Sequence, residues 1–307
     1  MINMILIYNY RSISILPYFS KIHEKWYLKE HWTLSLRGVK INRLGFAKNT
    51  KQPWLYWRLS QQPWLSWRLL IKFLRQWTIK KTTVGVFINL SKAFDTVDHK
   101  ILWQKLENYG LIILKWFTSY LENRQQFLYL NNSCSRNLKV TCEVSQSSSL
   151  VPILFILYIN DIVNCAKLLK FISFADDTNI FFSDKNTKLI FDTLNKGLDN
   201  LTVWFKINKG CLNVKKTNYI VFGVKSTMNS EFFIDNNVIA KVHSSKYLGI
   251  IIDERLKWQE HINAVANKVS KSLGVIYNMK NALPVSILPM LHAYISVLSI
   301  LQYGMGL

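Results

Sequence analysis

Two adjacent carboxylates, Asp176 and Asp177, lie within Leu168–Ser183, between two apolar, β-prone runs. Like charges side by side repel, so a pair of this kind calls for a cation, and carboxylate oxygens suit Mg²⁺. An isolated Asp-Asp dipeptide is most often a solvated turn, and what the chain places near it decides between the two readings. The flanking runs read as a β-hairpin with acid at its tip. A second element lies upstream. The apolar run Val84 to Leu90 reads as a strand leading into a helix that Ser91 can cap, with Asp95 and Asp98 in its first turns. Phe94, Val97, Ile101 and Leu102 form an amphipathic stripe, and Gly110 is placed to end that helix.

The strings Leu90-Ser-Lys-Ala-Phe-Asp-Thr-Val-Asp-His99 and Phe174-Ala-Asp-Asp177 together resemble the reverse transcriptase of non-LTR, jockey/CR1-type retrotransposons. Further matches follow in the family's order from about residue 9 to residue 304. The resemblance implies an α+β fold of the right-hand polymerase type. Residues 1–80 would be a fingers remnant, 81–225 a palm with an antiparallel sheet, and 226–307 a primer-grip hairpin with the start of a helical thumb. It also implies template-directed addition of deoxynucleotides to a primer 3′-hydroxyl, with Mg²⁺, or Mn²⁺ in its place, held mainly by the family's aspartate at the position of Asn89 and by Asp176, with Asp177 in support. RNA template, DNA primer and deoxynucleoside triphosphates are the implied partners. The Ser-Lys-Ala-Phe-Asp-Thr-Val-Asp-His string weighs against a relationship to intron maturases.

Other residues carry expected roles through the same resemblance. Phe94 would lie beneath the sugar of the incoming nucleotide, although any single Phe is more often plain core. Gln146, Ser147 and Ser148 fall in the segment that contacts template and nucleotide. Lys216, in Asn213-Val-Lys-Lys-Thr217, would be the general acid for departing pyrophosphate, against an equal expectation of simple surface charge. Tyr247, Leu248 and Gly249 belong to the hairpin expected to grip the primer end.

The sequence departs from the family pattern at several of these points. Asn89 stands where the family has its first catalytic aspartate. An amide keeps the shape and loses the charge. A unit charge about 4 Å from an ion is worth about 4 kcal/mol at an effective dielectric near 20. Two ions give twice that, and even half of the total is a rate loss of about 10³-fold. Ala47 replaces the arginine expected to hold the triphosphate, removing a bidentate donor. Ser147 and Val151 replace two glycines where backbone must approach a ligand closely. Residues 51–70 hold a tandem repeat, Gln52-Pro-Trp-Leu-Tyr-Trp-Arg-Leu59 and Gln62-Pro-Trp-Leu-Ser-Trp-Arg-Leu69, where a fingers helix is expected. Trp and Arg can stack on single-stranded bases, but a duplication in a decaying gene accounts for a ten-residue period better. The expectation is a polymerase domain with very low or lost activity, or else a non-catalytic nucleic-acid-binding remnant of one.

Composition agrees with a polyanionic partner. The 307 residues include 39 Lys+Arg against 18 Asp+Glu, a net charge of +21, which favours nucleic acid over an anionic membrane. Half of the residues are apolar and 14% aromatic, which excludes global disorder. The four cysteines show no zinc spacing and read as reduced and intracellular, in nucleus or cytoplasm. No apolar run reads as a bilayer span, no secretory signal is evident, and nothing in the pattern calls for an oligomer.

Overall fold

The computed structural model describes residues 22, 26, 81–110, 121, 124–127, 129–130, 133–142, 151–174, 177–223 and 231–279. The expected fingers remnant apart from Ile22 and Trp26, the 51–70 repeat, the 143–150 segment and the thumb helices all lie outside them, as do Ala47, Gln146, Ser147, Ser148 and Asp176.

Strand β1 (Thr82–Ile88) is wholly buried and forms the middle of the molecule. Helix α1 (His99–Asn108) follows. Four two-residue strands then make two small ladders: β2 (Gln125–Gln126) pairs with β5 (Leu138–Lys139), and β3 (Tyr129–Leu130) with β4 (Ser133–Cys134). Helix α2 (Val151–Ile159) runs into a 3₁₀ segment, Asn160–Asn164. The hairpin β6 (Lys170–Phe174) and β7 (Asp177–Asp184) comes next, then helix α3 (Thr187–Ile207). Strand β8 (Asn218–Phe222) is followed by the short pair β9 (Phe233–Ile234) and β10 (Asn237–Val238). After β11 (Ala240–Lys241), β12 (Ser244–Tyr247) and β13 (Ile250–Asp253) form a second hairpin, and helix α4 (Gln259–Met279) ends the described chain.

The main sheet has five strands in the order β11-β8-β1-β7-β6. All pairs are antiparallel except β11 with β8. Its centre is apolar on both faces because β1 is covered on both sides, so the period-2 alternation of a half-exposed strand is absent from its sequence. Val84, Val86, Ile88, Ile180 and Val221 face α3, whose buried positions Ile190, Leu194, Leu198, Leu201 and Phe205 recur at helical spacing. Phe87, Ile172, Phe181, Ile220 and Phe222 face the other way, toward Tyr247, Ile250 and Ile252 of the second hairpin. Gly85 is required on that face. A Cβ there would lie 2.6 Å from the Phe181 ring and 3.1 Å from the Phe222 ring. A third cluster joins α1 to α2 through Leu102, Leu106, Leu154, Phe155 and Leu157. The apolar character of Val151–Ile159 therefore reflects core burial, as expected from the sequence.

One sequence-based expectation is corrected. The helix after β1 does not start at Ser91. The Ser91 N–H instead donates to the Cys211 carbonyl at 2.8 Å, and Lys92 has a φ of 50°. That left-handed residue turns the chain, so residues 92–96 form a turn closed by bonds from Asp95 and Thr96 N–H to the Lys92 carbonyl. The helix begins at His99, and its cap is Asp98, which accepts from the Ile101 N–H at 3.1 Å. Gly110 follows the C-terminal residue Tyr109 with φ 66°, the left-handed conformation that closes a helix.

Candidate active site

Antiparallel pairing of β1 with β7 aligns Thr82 with Asp184 and continues to Ile88 opposite Thr178. One further step in this register sets Asn89 opposite Asp177. Alternation puts both on the sheet face shared by Phe87 and Asn179, the face on which the β12–β13 hairpin packs. Asn89 and Asp177 are half-buried. Phe174 pairs with Asp177 where the β6–β7 hairpin closes.

The backbone at Asn89 is held from the side opposite β7. Its N–H donates to Thr217 Oγ1 at 3.2 Å, and its carbonyl accepts from the Asn213 N–H at 2.9 Å. Leu90 bridges Leu212 in the same antiparallel sense. This pairing carries the 3₁₀ turn Val214–Lys216 up against the end of β1, and Asn213 caps that turn by accepting from the Lys216 N–H. Lys216 itself is exposed.

Phe94 stands on the turn that replaced the expected helix start. Half-buried, its ring lies 4.8 Å from that of Phe155 in α2, which anchors it to the core. Tyr247 is buried and lies 6.3 Å from Phe87, ring to ring. Leu248 and Gly249 have φ of 49° and 85°, the two positive values that a two-residue hairpin turn needs to match strand twist. The β12–β13 hairpin is therefore fixed on the Asn89–Asp177 face by an aromatic contact.

Two charged pairs tie the surrounding elements together, and no motif signals either of them. Lys209 Nζ lies 2.7 Å from Asp98, tying the loop after α3 to the cap of α1. Burial alone would raise the Asp98 carboxyl, but the Lys209 ammonium and the N–H groups at the start of α1 outweigh it and hold the carboxyl below its usual range. Lys105 Nζ lies 2.6 Å from Asp161 and 2.7 Å from the Tyr158 carbonyl, above the rings of Tyr158 and Trp204. Burial pulls its ammonium below the usual lysine range, against the pull of Asp161. Burial also pushes the Tyr158 phenol up to about 12, and its hydroxyl donates to the Asn208 carbonyl at 2.6 Å.

Residues 7–252 match the family Reverse transcriptase (RNA-dependent DNA polymerase). The chain belongs to the reverse transcriptase family. Curated relatives include the probable RNA-directed DNA polymerase from transposon X-element of Drosophila melanogaster, 23% identical over 88% of this chain. The RNA-directed DNA polymerase from mobile element jockey of the same species is 23% identical over 84% of it, and that of transposon BS 26% over 85%. The chain spans only 29%, 28% and 29% of the length of these relatives. Among solved structures, telomerase from Candida tropicalis with a telomeric RNA fragment is 12% identical with TM-score 0.46, covering 77% of this chain and 41% of that one. A truncated apo form is 14% identical with TM-score 0.47, covering 83% and 50%.

This reverse transcriptase domain has a polymerase-type α+β fold, with a five-stranded sheet covered by helices. Both sides of the Asn89–Asp177 pair offer hard oxygen donors, a carboxylate and an amide carbonyl, which is the chemistry a divalent cation accepts. The amide contributes no charge. Among the described residues no group of three or more His, Cys, Asp or Glu is placed to hold a metal, and no helix is long and apolar enough to cross a membrane.

Proposed function

We propose that this domain binds a primed RNA or DNA template and a deoxynucleoside triphosphate in the geometry of nucleotidyl transfer, with very low or no addition of its own. What supports the reading is the register that ends with Ile88 opposite Thr178, whose next step brings Asn89 to Asp177, on the face against which the Tyr247 hairpin packs. Asp176 and Asp177 would hold Mg²⁺, with Mn²⁺ able to replace it, and Asn89 would offer one neutral oxygen. The ions supply charge to neutralise the triphosphate and to activate the primer hydroxyl. Phe94 would support the nucleotide sugar. Gln146, Ser147 and Ser148 would lie along the template nucleotide, and Lys216 would donate a proton to leaving pyrophosphate. Tyr247, Leu248 and Gly249 would hold the primer end.

Loss of charge at Asn89, of the phosphate donor at Ala47 and of glycine at Ser147 and Val151 weakens successive parts of one site. Within such a unit the effects of single changes are far from additive. Asn89→Asp alone should therefore restore no more than a trace of Mg²⁺-dependent extension. The combination with Ala47→Arg, Ser147→Gly and Val151→Gly should exceed any single change. The net charge of +21 remains, so binding of single-stranded or hybrid nucleic acid should persist and weaken steeply with salt as counterions are released. Primer extension on a primed RNA template, with salt-dependent binding measured in parallel, tests both parts. Robust extension by the unmodified chain, abolished by Asp176→Ala, would overturn the loss of activity. Binding that hardly changes between low and physiological salt would overturn nucleic acid as the partner.

A further inference from the structure

The turn Val214–Lys216 is fastened to the Asn89 peptide by two residues, and each also shapes the turn itself. Asn213 donates its N–H to the Asn89 carbonyl at 2.9 Å. Its side-chain oxygen accepts from the Lys216 N–H at 3.3 Å, and its carbonyl accepts from both the N–H and the hydroxyl of Thr217, each at 2.9 Å. The same Thr217 hydroxyl, fully buried, receives the Asn89 N–H at 3.2 Å. One hydroxyl thus closes the turn with its proton and holds the Asn89 peptide with its lone pair. Both groups of the Asn89 peptide are used, and both bonds lead into the five-residue stretch that contains Lys216.

We infer that Asn213 and Thr217 are positioning residues. They form a clamp that makes the Asn89 end of β1 and the Lys216 turn one rigid body. The inference rests on the functional reading above and adds a reason for this connection. Nucleotide addition opens one bond to the leaving pyrophosphate while forming another at the primer hydroxyl. The groups serving those two events sit on different elements, and a misplacement of about 1 Å is enough to cost about a hundredfold in rate. A direct link between the two elements fixes their separation.

The test compares the unmodified chain with Thr217→Val, which keeps shape and removes the hydroxyl, and with Thr217→Ser, which restores it. Thr202→Val is the control. Its buried hydroxyl donates only to Leu198 within α3, at 2.9 Å, so it reports ordinary loss of stability. Amide hydrogen exchange is read at Asn89 and Lys216, and binding of Mg²⁺-dTTP is titrated by fluorescence. Loss of one hydrogen bond should speed exchange at both amides by about tenfold in Thr217→Val. Nucleotide affinity should fall by a similar factor, Thr217→Ser should recover most of both, and Thr202→Val should leave both unmoved. Unchanged exchange at Asn89 in Thr217→Val, equal acceleration in Thr202→Val, or no rescue by serine would each overturn the clamp. If the unmodified chain binds no nucleotide, the functional reading fails, while the exchange comparison still judges whether the two elements are joined.

Discussion

The two ends of the five-stranded sheet treat their polar atoms differently. At the end where Thr82 pairs with Asp184, Thr83 Oγ1 donates to Ser183 Oγ at 2.9 Å, and the neighbouring Val84, Phe181 and Phe222 are buried. At the other end Ser173 Oγ, Thr178 Oγ1, Asn179 Nδ2 and Asn218 Oδ1 are buried with no hydrogen-bond partner among the described residues. These four fall within two registers of one another, since Ser173 pairs with Thr178 and Phe87 lies between Asn179 and Asn218. A buried polar atom left unpaired costs about 1–3 kcal/mol. The ladders run through both ends, but a side-chain bond satisfies the polar pair at one, while four unpaired polar atoms gather at the other. Local rules of packing are broken where a site is built, and the remainder of the fold offsets the cost.

The largest effect expected from this contrast lies in the sealed region. Phe181 is fully buried and fills the space left by Gly85, so Phe181→Ala should lower stability by about 3–5 kcal/mol in chemical denaturation. A loss below about 1 kcal/mol would show that this region is not tightly packed.

At the polar end Asn89→Asp sets a second carboxylate opposite Asp177. With a chelator present, repulsion should lower the thermal midpoint relative to the unmodified chain. Millimolar Mg²⁺ should then raise the midpoint of Asn89→Asp by more than it raises that of the unmodified chain. Equal Mg²⁺ shifts in the two proteins would mean that the cation does not sit between these residues.

Asp98 tests the pair it forms with Lys209. Its carboxyl lies below its ordinary value of 3.8 when folded. The stabilisation it gives is therefore full above that value and is lost as pH falls through the lower, folded one. Asp98→Asn should cost about 1 kcal/mol at pH 7, and the difference from the unmodified chain should vanish in strong acid. A difference that stays constant between pH 7 and pH 2 would place the effect in shape and not in charge.

The smallest effect draws the sharpest contrast. Thr83→Val removes a satisfied hydroxyl and should destabilise by about 1 kcal/mol. Thr178→Val makes the same replacement at the other end, removes an unpaired hydroxyl, and should leave stability unchanged or raise it by up to about 1 kcal/mol. Paired denaturation curves giving the same sign for both would erase the distinction between the two ends.

Some of this organisation could be read along the chain, because it depends on neighbours in sequence. The hairpin around Phe174-Ala-Asp-Asp177, the strand through Val84, the long helix beginning at Thr187 and the left-handed Gly110 each follow from local apolar pattern and local conformational preference. The motif order from Asn89 to Gly249, with its substitutions, was likewise enough to name the family, since residue type at a set spacing is a sequence property. The sequence places the helix after β1 seven residues early, at Ser91 in place of Asp98, because Ser91 is a good cap by type. Its N–H had already been taken by Cys211, which is 120 residues away in sequence, so no local pattern could show the loss. The bonds from Asn89 to Asn213 and Thr217, the Lys209–Asp98 pair and the Lys105–Asp161 pair are of the same kind. Asn213, Lys216 and Thr217 were visible as a motif, yet their attachment to Asn89 was not. Sequence determined which groups the chain carries and their order. Only the tertiary structure decided which of them meet, because hydrogen bonds and ion pairs between distant segments depend on the register of β1 against β7 and β8, and that register is set by burial on both faces of the sheet.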